Sequence, residues 1–149
     1  MQTFLPFAEF KETACILDYR RLGKQRVEAK QIIQTIQIGD SAKGWKNHPA
    51  VHMWRDYVPA LALYGICICT EWRNRGYNDS LLPFFLEWFE SGDLKMPWWL
   101  NNTDFHKSHQ SNLLRKDPEY YSKFFNIDPM LPYRWPGKTD TWTIGVKPV

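Results

Sequence analysis

The sequence has few cysteines and little net charge. Its 149 residues include only Cys15, Cys67 and Cys69, without a Cys-x-x-Cys pair, and the formal net charge at pH 7 is +3. Three cysteines in this arrangement argue against a disulfide framework and favour a reducing compartment, so we expect a cytoplasmic protein. Because the net charge is small, any contact with nucleic acid should come from a local patch.

Long apolar segments and phosphate-binding glycine loops are also missing. The longest apolar run, Pro59–Ile68, is too short to span a bilayer, and residues 1–10 lack the basic segment and apolar core of a signal peptide. Neither a G-x-G-x-x-G nor a Walker-type sequence occurs. We therefore expect a soluble, intracellular protein with no membrane partner and no cofactor.

Apolar and aromatic residues, in contrast, are plentiful. They make up 44% and 16% of the chain, which is enough to pack the core of one domain of this length. Apolar residues recur at three- and four-residue spacing, and convincing strand alternation is absent. We predict a mainly α fold: a compact single domain over residues 1–149, built as a helical bundle, with an irregular Pro/Trp-rich tail over residues 126–149.

Glycine, proline and potential capping residues predict the ends of the helices. The first helix should bend or break near Asp18 or Gly23, and a second long segment should be kinked or divided at Pro59. The predicted helices span about residues 6–36 with that break, 49–75, 79–90 and 104–116, with a short one after Asp117 and a turn at 39–41.

Residues 18–30 combine several cations with one embedded acid, Glu28. On a helical wheel the apolar residues face one side, and Arg20, Arg21, Lys24 and Glu28 lie on the other, with Lys24 and Glu28 one turn apart. A cationic face binds polyanions, and an acid among cations can serve catalysis. The simpler alternative is a solvated helix face with an ordinary Lys–Glu pair.

The cations fall into three groups, each with aromatic residues nearby. The groups are Arg20 to Lys30, Arg73 with Arg75, and His106 to Lys116 with Lys123; the aromatic neighbours include Tyr19, Trp72, Tyr77, Tyr120 and Tyr121. Cations bind phosphates and flat rings stack on bases, so this combination suits a protein that grips a nucleic-acid backbone and handles an unstacked base. The alternative is a set of amphipathic helices with core aromatics and surface cations.

The four histidines form two pairs at helical spacing. His48 and His52 are four residues apart, and His106 and His109 are three apart, so each pair can present two imidazoles on one side of a helix. A metal-dependent hydrolase or nuclease that uses both pairs is one alternative. No His-Glu-x-x-His sequence supports it, and phosphate contacts or helix caps are the preferred roles of His106 and His109.

Three segments carry a family resemblance. They are Arg-Leu-Gly-Lys-Gln-Arg-Val-Glu at 21–28, a segment over 52–78 that ends in Glu-Trp-Arg-Asn-Arg-Gly-Tyr-Asn, and a segment over 105–121 that ends in Leu-Leu-Arg-Lys-Asp-Pro-Glu-Tyr-Tyr. Together they resemble the pyrimidine-dimer DNA glycosylases of the phage endonuclease V type. The resemblance covers roughly residues 1–125.

The resemblance implies a compact helical enzyme of base-excision DNA repair that acts on duplex DNA without a metal. In that family an amine attacks the sugar C1′ to form a Schiff base, and β-elimination then nicks the abasic strand, while a helix glutamate supports the charged intermediate and the proton transfers. Glu28 matches that glutamate. The DNA-binding residues expected from the resemblance and from the basic groups are Arg20, Arg21, Arg26, Lys30, His106, His109, Arg115, Lys116, Tyr120 and Tyr121.

The start of the chain departs from the family, whose amine belongs to a threonine exposed by removal of the initiator methionine. This chain begins Met1-Gln2-Thr3, and a glutamine normally blocks that removal. The nucleophile is then the Met1 amine, an amine exposed at Gln2 or Thr3, or Lys24, or the lyase chemistry is absent. We expect a DNA glycosylase with abasic-site lyase activity on damaged or modified pyrimidines and no obligate protein partner; a non-catalytic DNA-binding module on the same scaffold is the alternative.

Overall fold

The chain is mainly helical in a computed structural model that describes residues 1–39 and 44–145. Within these residues the elements are α1 (Phe10–Ile16), α2 (Tyr19–Ile38), a 3-10 helix (Trp45–Asn47), α3 (Pro49–Trp54), α4 (Val58–Asn74), α5 (Leu82–Glu90), α6 (Thr103–Lys116), α7 (Pro118–Tyr121), β1 (Arg134–Pro136) and β2 (Trp142–Ile144). The predicted mainly α fold is confirmed. The predicted turn at 39–41 lies largely outside the described residues. No helix in these two ranges has the length and hydropathy needed to cross a membrane.

The first helical segment breaks at Leu17 and Asp18, one of the two predicted positions. Leu17 is extended (φ −64°, ψ 135°), and the Asp18 carboxylate caps α2 by accepting a hydrogen bond of 3.3 Å from the Arg21 backbone N–H. Gly23 remains helical. A Cβ at Gly23 would lie 2.8 Å from the Trp72 ring, so glycine at this position allows α2 and α4 to approach closely.

Pro59 lies just after a division between two helices. Helix α3 ends at Trp54 and α4 begins at Val58, so Pro59 lies in the first turn of α4, where its missing N–H is not needed. Helix α4 continues to Asn74, and Gly76 follows it with a φ of 92°. Both the division and the glycine-terminated helix end agree with the prediction.

The core is built around α4, which packs against α1, α2 and α5. Aromatic rings fill much of it. Trp54 lies 6.3 Å from both Phe10 and Tyr64 between ring centroids, and Trp99 meets Trp54 edge-on at 4.9 Å. Such tilted and edge-on pairs are the favoured geometry of packed aromatic side chains.

The tail contains a short antiparallel hairpin, which corrects the expectation of no strands. Strands β1 and β2 pair Arg134 with Ile144 and Pro136 with Trp142. Three residues are too few for alternation to be recognisable in a sequence. Tyr133, which precedes β1, is fully buried, so this part of the tail is packed into the body of the protein.

Candidate active site

A cavity of about 890 Å³ is lined by five parts of the chain that are distant in sequence, one of which is Arg75 at the end of α4. Met1 and Gln2 contribute the chain start, α2 contributes Glu28, and His48 and Lys116 approach from the N-terminus of α3 and the last turn of α6. The cation-rich part of α2, including Arg20, Arg21 and Lys24, forms the rest of one wall. The cavity therefore combines amines, guanidinium groups and one buried glutamate.

The Glu28 carboxylate lies at the cavity wall and is nearly buried, with a relative exposure of 8%. Its Oε2 accepts a hydrogen bond of 2.9 Å from Gln25 Nε2, and its Oε1 lies 3.8 Å from Lys24 Nζ. The Lys24 side chain is 73% exposed, so this ion pair is weak at best. Glu28 is thus buried beside cations, which argues against the alternative of a solvated helix face with an ordinary Lys–Glu pair.

Gln25 connects the glutamate to the start of the chain. Its amide is fully buried, and Nε2 donates both to Glu28 and to the Gln2 carbonyl at 3.0 Å. Its Oε1 accepts from the Phe4 backbone N–H at 3.0 Å and lies 2.7 Å from the Tyr64 hydroxyl. Sequence reasoning missed this residue, although its position three residues before Glu28 on one helix was an available signal.

Residues 2–5 are held in the interior by side chains from distant elements. Gln2 Nε2 donates to the Tyr133 hydroxyl at 2.5 Å, and the Thr3 hydroxyl accepts from Trp54 Nε1 at 3.0 Å. Thr3 is buried, and a nucleophilic amine exposed at Gln2 or Thr3 by processing stays a prediction. Met1 lines the cavity, and its α-amine is near His48, whose pKa is lowered by burial and by the positive charge of that amine.

Two lysine amines share the cavity wall, Lys24 on α2 and Lys116 at the end of α6. Burial, together with the charges of Arg21, Lys24 and Arg115, lowers the pKa of Lys116, and Glu28 acts in the opposite direction. A lowered pKa increases the fraction of unprotonated amine at neutral pH. Lys116 was predicted as a phosphate contact, and its position is compatible with both roles.

The cations of α2 divide into two sets by their partners. Arg20 and Lys24 are exposed at the cavity, and Arg21 pairs with Asp18 at 3.2 Å. Arg26, in contrast, is bound by Asp79, with its Nε 2.7 Å from Oδ1. Arg20 and Lys24 are therefore available for phosphate, whereas the Arg21 and Arg26 guanidinium groups are paired with carboxylates.

Lys30 lies beside an aromatic ring, with its Nζ 5.3 Å from the Phe84 centroid. Unlike Arg20 and Lys24, it is not among the residues that line the cavity. A phosphate contact at Lys30 therefore remains a prediction for DNA outside the cavity.

His106 and His109 hold the chain start and are not placed to meet phosphate. The Nδ1 atom of His106 lies 2.7 Å from the Leu5 carbonyl, and His109 Nδ1 accepts from the Leu5 N–H at 2.9 Å. Both rings are buried, and burial lowers the pKa of each imidazole. Neutral imidazoles are needed for this pattern, because His109 Nδ1 must carry a free lone pair.

The C-terminal basic and aromatic segment is also partly structural. Arg115 Nη1 donates to the Ser111 hydroxyl at 2.9 Å and to the Pro129 carbonyl, so it fastens the tail to α6. The buried Tyr121 hydroxyl donates to the Asp18 carboxylate and accepts from the Asp18 N–H at 3.1 Å. Tyr120 lines the cavity and donates to the Ile16 carbonyl at 2.8 Å.

Residues 1–39 and 44–145 contain no group of three or more His, Cys, Asp or Glu side chains arranged to hold a metal ion. His48 caps α3, accepting from the Ala50 N–H at 3.0 Å, while His106 and His109 hold Leu5 as described. The metal-dependent alternative therefore has no ligand cluster in the described part of the chain.

Comparison with known proteins identifies the family of the chain. The family model for pyrimidine dimer DNA glycosylases matches residues 1–82, which is more than half of the 149 residues. The matched segment includes Met1, Gln25, Glu28 and His48, whereas α6 and the tail lie outside it. No curated protein and no solved structure matched the chain.

The class to which the chain belongs is thus that of the DNA glycosylases, helical DNA-repair enzymes with DNA as substrate. Within that class, the chain belongs to the pyrimidine dimer DNA glycosylase family.

Proposed function

We propose that this protein removes damaged or modified pyrimidines from duplex DNA and then cleaves the abasic strand by β-elimination. The observation that carries the proposal is the Glu28 carboxylate, which is buried in the wall of a cavity shared with three amines. Gln25 fixes the orientation of that carboxylate relative to the chain start. A positioned acid beside an amine is what Schiff-base chemistry at a sugar carbon requires.

The cavity suits an extruded nucleotide. Its volume of about 890 Å³ is within the range of roughly 300–1,000 Å³ found for small-molecule sites. Arg20, Lys24 and Lys116 lie at its wall, where they are suited to bind phosphates on either side of the nucleotide that has left the stack. The negative charge of the DNA backbone thus balances the positive charge of the cavity wall.

The proposed reaction begins when an unprotonated amine attacks C1′ of the sugar. A carbon–nitrogen bond forms, the glycosylic bond breaks, and the base leaves with the bonding electron pair and takes up a proton. Loss of the amine proton and opening of the sugar ring then give the imine, with the ring oxygen becoming a hydroxyl group. Removal of a proton from C2′ expels the 3′ phosphate by β-elimination, and water releases the unsaturated aldehyde and regenerates the amine.

Glu28 has two roles in this proposal. Its negative charge stabilises the positive charge that develops at C1′ and on the imine nitrogen, and its low exposure strengthens that interaction because water screens it less. The carboxylate also receives and returns protons. The Gln25 hydrogen bond keeps it in one orientation throughout.

We assign the nucleophilic amine to Met1. In model peptides an α-amine is less basic than a lysine amine by about 2–3 pKa units, so more of it is unprotonated at neutral pH. The Lys24 side chain is extensively exposed to solvent, and its Nζ lies 3.8 Å from Glu28 Oε1. Lys116 is the second assignment, because burial and its cationic neighbours lower its pKa.

Borohydride trapping on a duplex with one natural abasic site tests the activity and identifies the amine. We expect a covalent protein–DNA adduct, and peptide mapping of that adduct should place the modification on Met1. Modification of Lys116 or Lys24 would overturn the assignment of Met1 and preserve the activity. DNA binding without any adduct or strand cleavage would establish the non-catalytic module instead, and activity abolished by EDTA would establish a metal-dependent enzyme.

A further inference from the structure

Three aromatic rings form a ladder on the surface next to the cavity. Tyr77 is stacked on Trp72 with a centroid distance of 4.3 Å and an interplanar angle of 28°, and Tyr19 follows at 6.4 Å and 29° from Tyr77. Tyr19 and Tyr77 are 52% and 42% exposed. Tyr19 also lines the cavity, so the ladder (Tyr19, Tyr77 and Trp72) begins at the cavity wall.

Hydrogen bonds and ion pairs hold the loop that carries Tyr77. Trp72 Nε1 donates to the Asn78 carbonyl at 2.8 Å, and Asp79 binds both Arg26 and Arg73. The Asp79 side chain is fully buried, and its Oδ2 also accepts from the Leu82 N–H at 2.9 Å. The loop that carries Tyr77 is therefore fixed before any ligand arrives, which lowers the entropic cost of binding.

Cations lie at both ends of the ladder. The Arg20 guanidinium lies 5.8 Å from the Tyr19 ring centroid, and its Nε donates to the Tyr19 hydroxyl at 3.2 Å. The Arg73 side chain is 45% exposed near the other end. Two exposed tyrosine rings with guanidinium groups at their margins complement a flat base attached to a phosphate.

We propose that the ladder is a binding site for an unstacked nucleobase of single-stranded or locally opened DNA, with the adjoining phosphate on Arg20. The site is separate from the chemistry at Glu28, since its rings stack on the base without reacting with it. Stacking is tolerant of base identity because every base has a flat face. The ladder therefore supplies affinity for opened DNA beside the cavity and little sequence preference.

Fluorescence of 2-aminopurine within a short single-stranded oligothymidylate tests the site. Stacking on a ring quenches this base, so we expect quenching on binding to the unmodified protein. Tyr77→Leu removes the ring and should reduce the quenching and weaken binding on the order of tenfold. Tyr77→Phe keeps the ring and is the matched control, with unchanged quenching and affinity expected.

Arg20→Gln separates the phosphate contact from stacking. It should lower the salt dependence of binding by about one counterion while the quenching at saturation is retained. Tyr19→Leu is the second ring variant, because its exposed side chain can be shortened without altering the loop that holds Tyr77. If Tyr77→Leu fails to fold, Tyr19→Leu alone decides the result.

Equal quenching and equal affinity in the leucine and phenylalanine variants would overturn the proposal, and the ladder would then be a structural or protein-docking surface. The assay involves no abasic site, so it does not depend on the proposed glycosylase and lyase activity. A protein that quenches 2-aminopurine but forms no borohydride adduct would refute the proposed function and leave this site in place.

Discussion

The amide nitrogen of Gln25 donates to the Glu28 carboxylate at 2.9 Å and to the Gln2 carbonyl at 3.0 Å. A single side chain thereby sets the position of the only acid in α2 relative to the start of the chain. The oxygen of the same side-chain amide, Oε1, accepts a hydrogen bond from the Phe4 backbone N–H.

Replacing Glu28 with glutamine should abolish strand cleavage and leave DNA binding intact. The amide has nearly the same shape but carries no negative charge and accepts no proton. Gel-based cleavage of an abasic duplex and binding to a non-cleavable tetrahydrofuran duplex measure the two properties separately. Glu87→Gln, on the exposed face of α5, is the matched control. Cleavage by Glu28→Gln at the unmodified rate would remove the glutamate from the mechanism.

Gln25→Met should destabilise the protein by about 2–5 kcal/mol, because methionine fills the space but leaves buried backbone groups of Gln2 and Phe4 without partners. Urea unfolding at neutral pH measures the change. Gln31→Met, at an exposed position of the same helix, should shift the free energy of unfolding by less than about 0.5 kcal/mol. A similar loss in both variants would contradict the connecting role of Gln25.

The pKa of the Asp79 carboxyl group indicates how the free energy of unfolding responds to acid. Burial alone would raise the pKa of its carboxyl group, but hydrogen bonds from Arg26 and from the Leu82 and Leu81 N–H groups outweigh burial and lower the pKa below the ordinary 3.8. A carboxyl group with a lower pKa in the folded state stabilises the fold above its unfolded pKa. That contribution is lost as the pH falls through the folded pKa.

We therefore expect the free energy of unfolding to decrease below about pH 4, and Asp79→Asn to make this decrease smaller. The same variant should cost about 3 kcal/mol at pH 7, because it breaks a buried ion pair on one side only. Thermal unfolding monitored by circular dichroism between pH 3 and 7 measures both effects. Asp93→Asn, at an exposed position, serves as the control. If the melting temperatures of the unmodified protein, Asp79→Asn and Asp93→Asn fell in parallel with pH, the acid sensitivity would not come from Asp79.

Gly65→Ala should lower the melting temperature, because a Cβ at this position would overlap the Phe85 ring between α4 and α5. The ring is fully buried and has to move, at a cost of about 1–3 kcal/mol. Gly92→Ala is the contrasting substitution, since its nearest neighbour is Pro59 Cγ at an ordinary 3.7 Å. Equal melting temperatures for the two variants would disprove close packing at Gly65.

Lys116→Gln should weaken DNA binding across sequences and reduce its salt dependence by about one counterion, since Lys116 lies at the cavity wall. Arg115→Ala should instead act mainly on stability, because Arg115 holds Ser111 and Pro129. Salt titrations of duplex binding, paired with urea unfolding, distinguish the neighbouring residues. A reduced salt slope for Arg115→Ala alone would reverse the two assignments.

Local chemistry made the helices predictable. Asp18 caps α2, Pro59 lies in the first turn of α4, and Asp117 caps α7 by accepting from the Tyr120 N–H. Each of these residues affects only the backbone within about four positions of it, so its effect can be predicted from the sequence. The hairpin was missed because its strands are three residues long and depend on pairing with each other.

The site was only partly predictable, because contacts between segments that are far apart in the sequence bring its side chains together. Sequence reasoning selected Glu28, Lys24 and Lys116, but it missed Gln25 and assigned His106 and His109 to phosphate contacts or helix caps. Leu5 reaches His109 from 104 positions away, and Tyr133 reaches Gln2 from 131 positions away.

The sequence by itself determined the helical elements and the family, and it singled out Glu28 as the candidate acid. Only the tertiary structure decided that Gln25 orients the acid and that the two histidines hold the chain start. Helix formation depends on neighbours within a turn or two, whereas burial and hydrogen-bond partners depend on segments that meet only when the whole chain has folded.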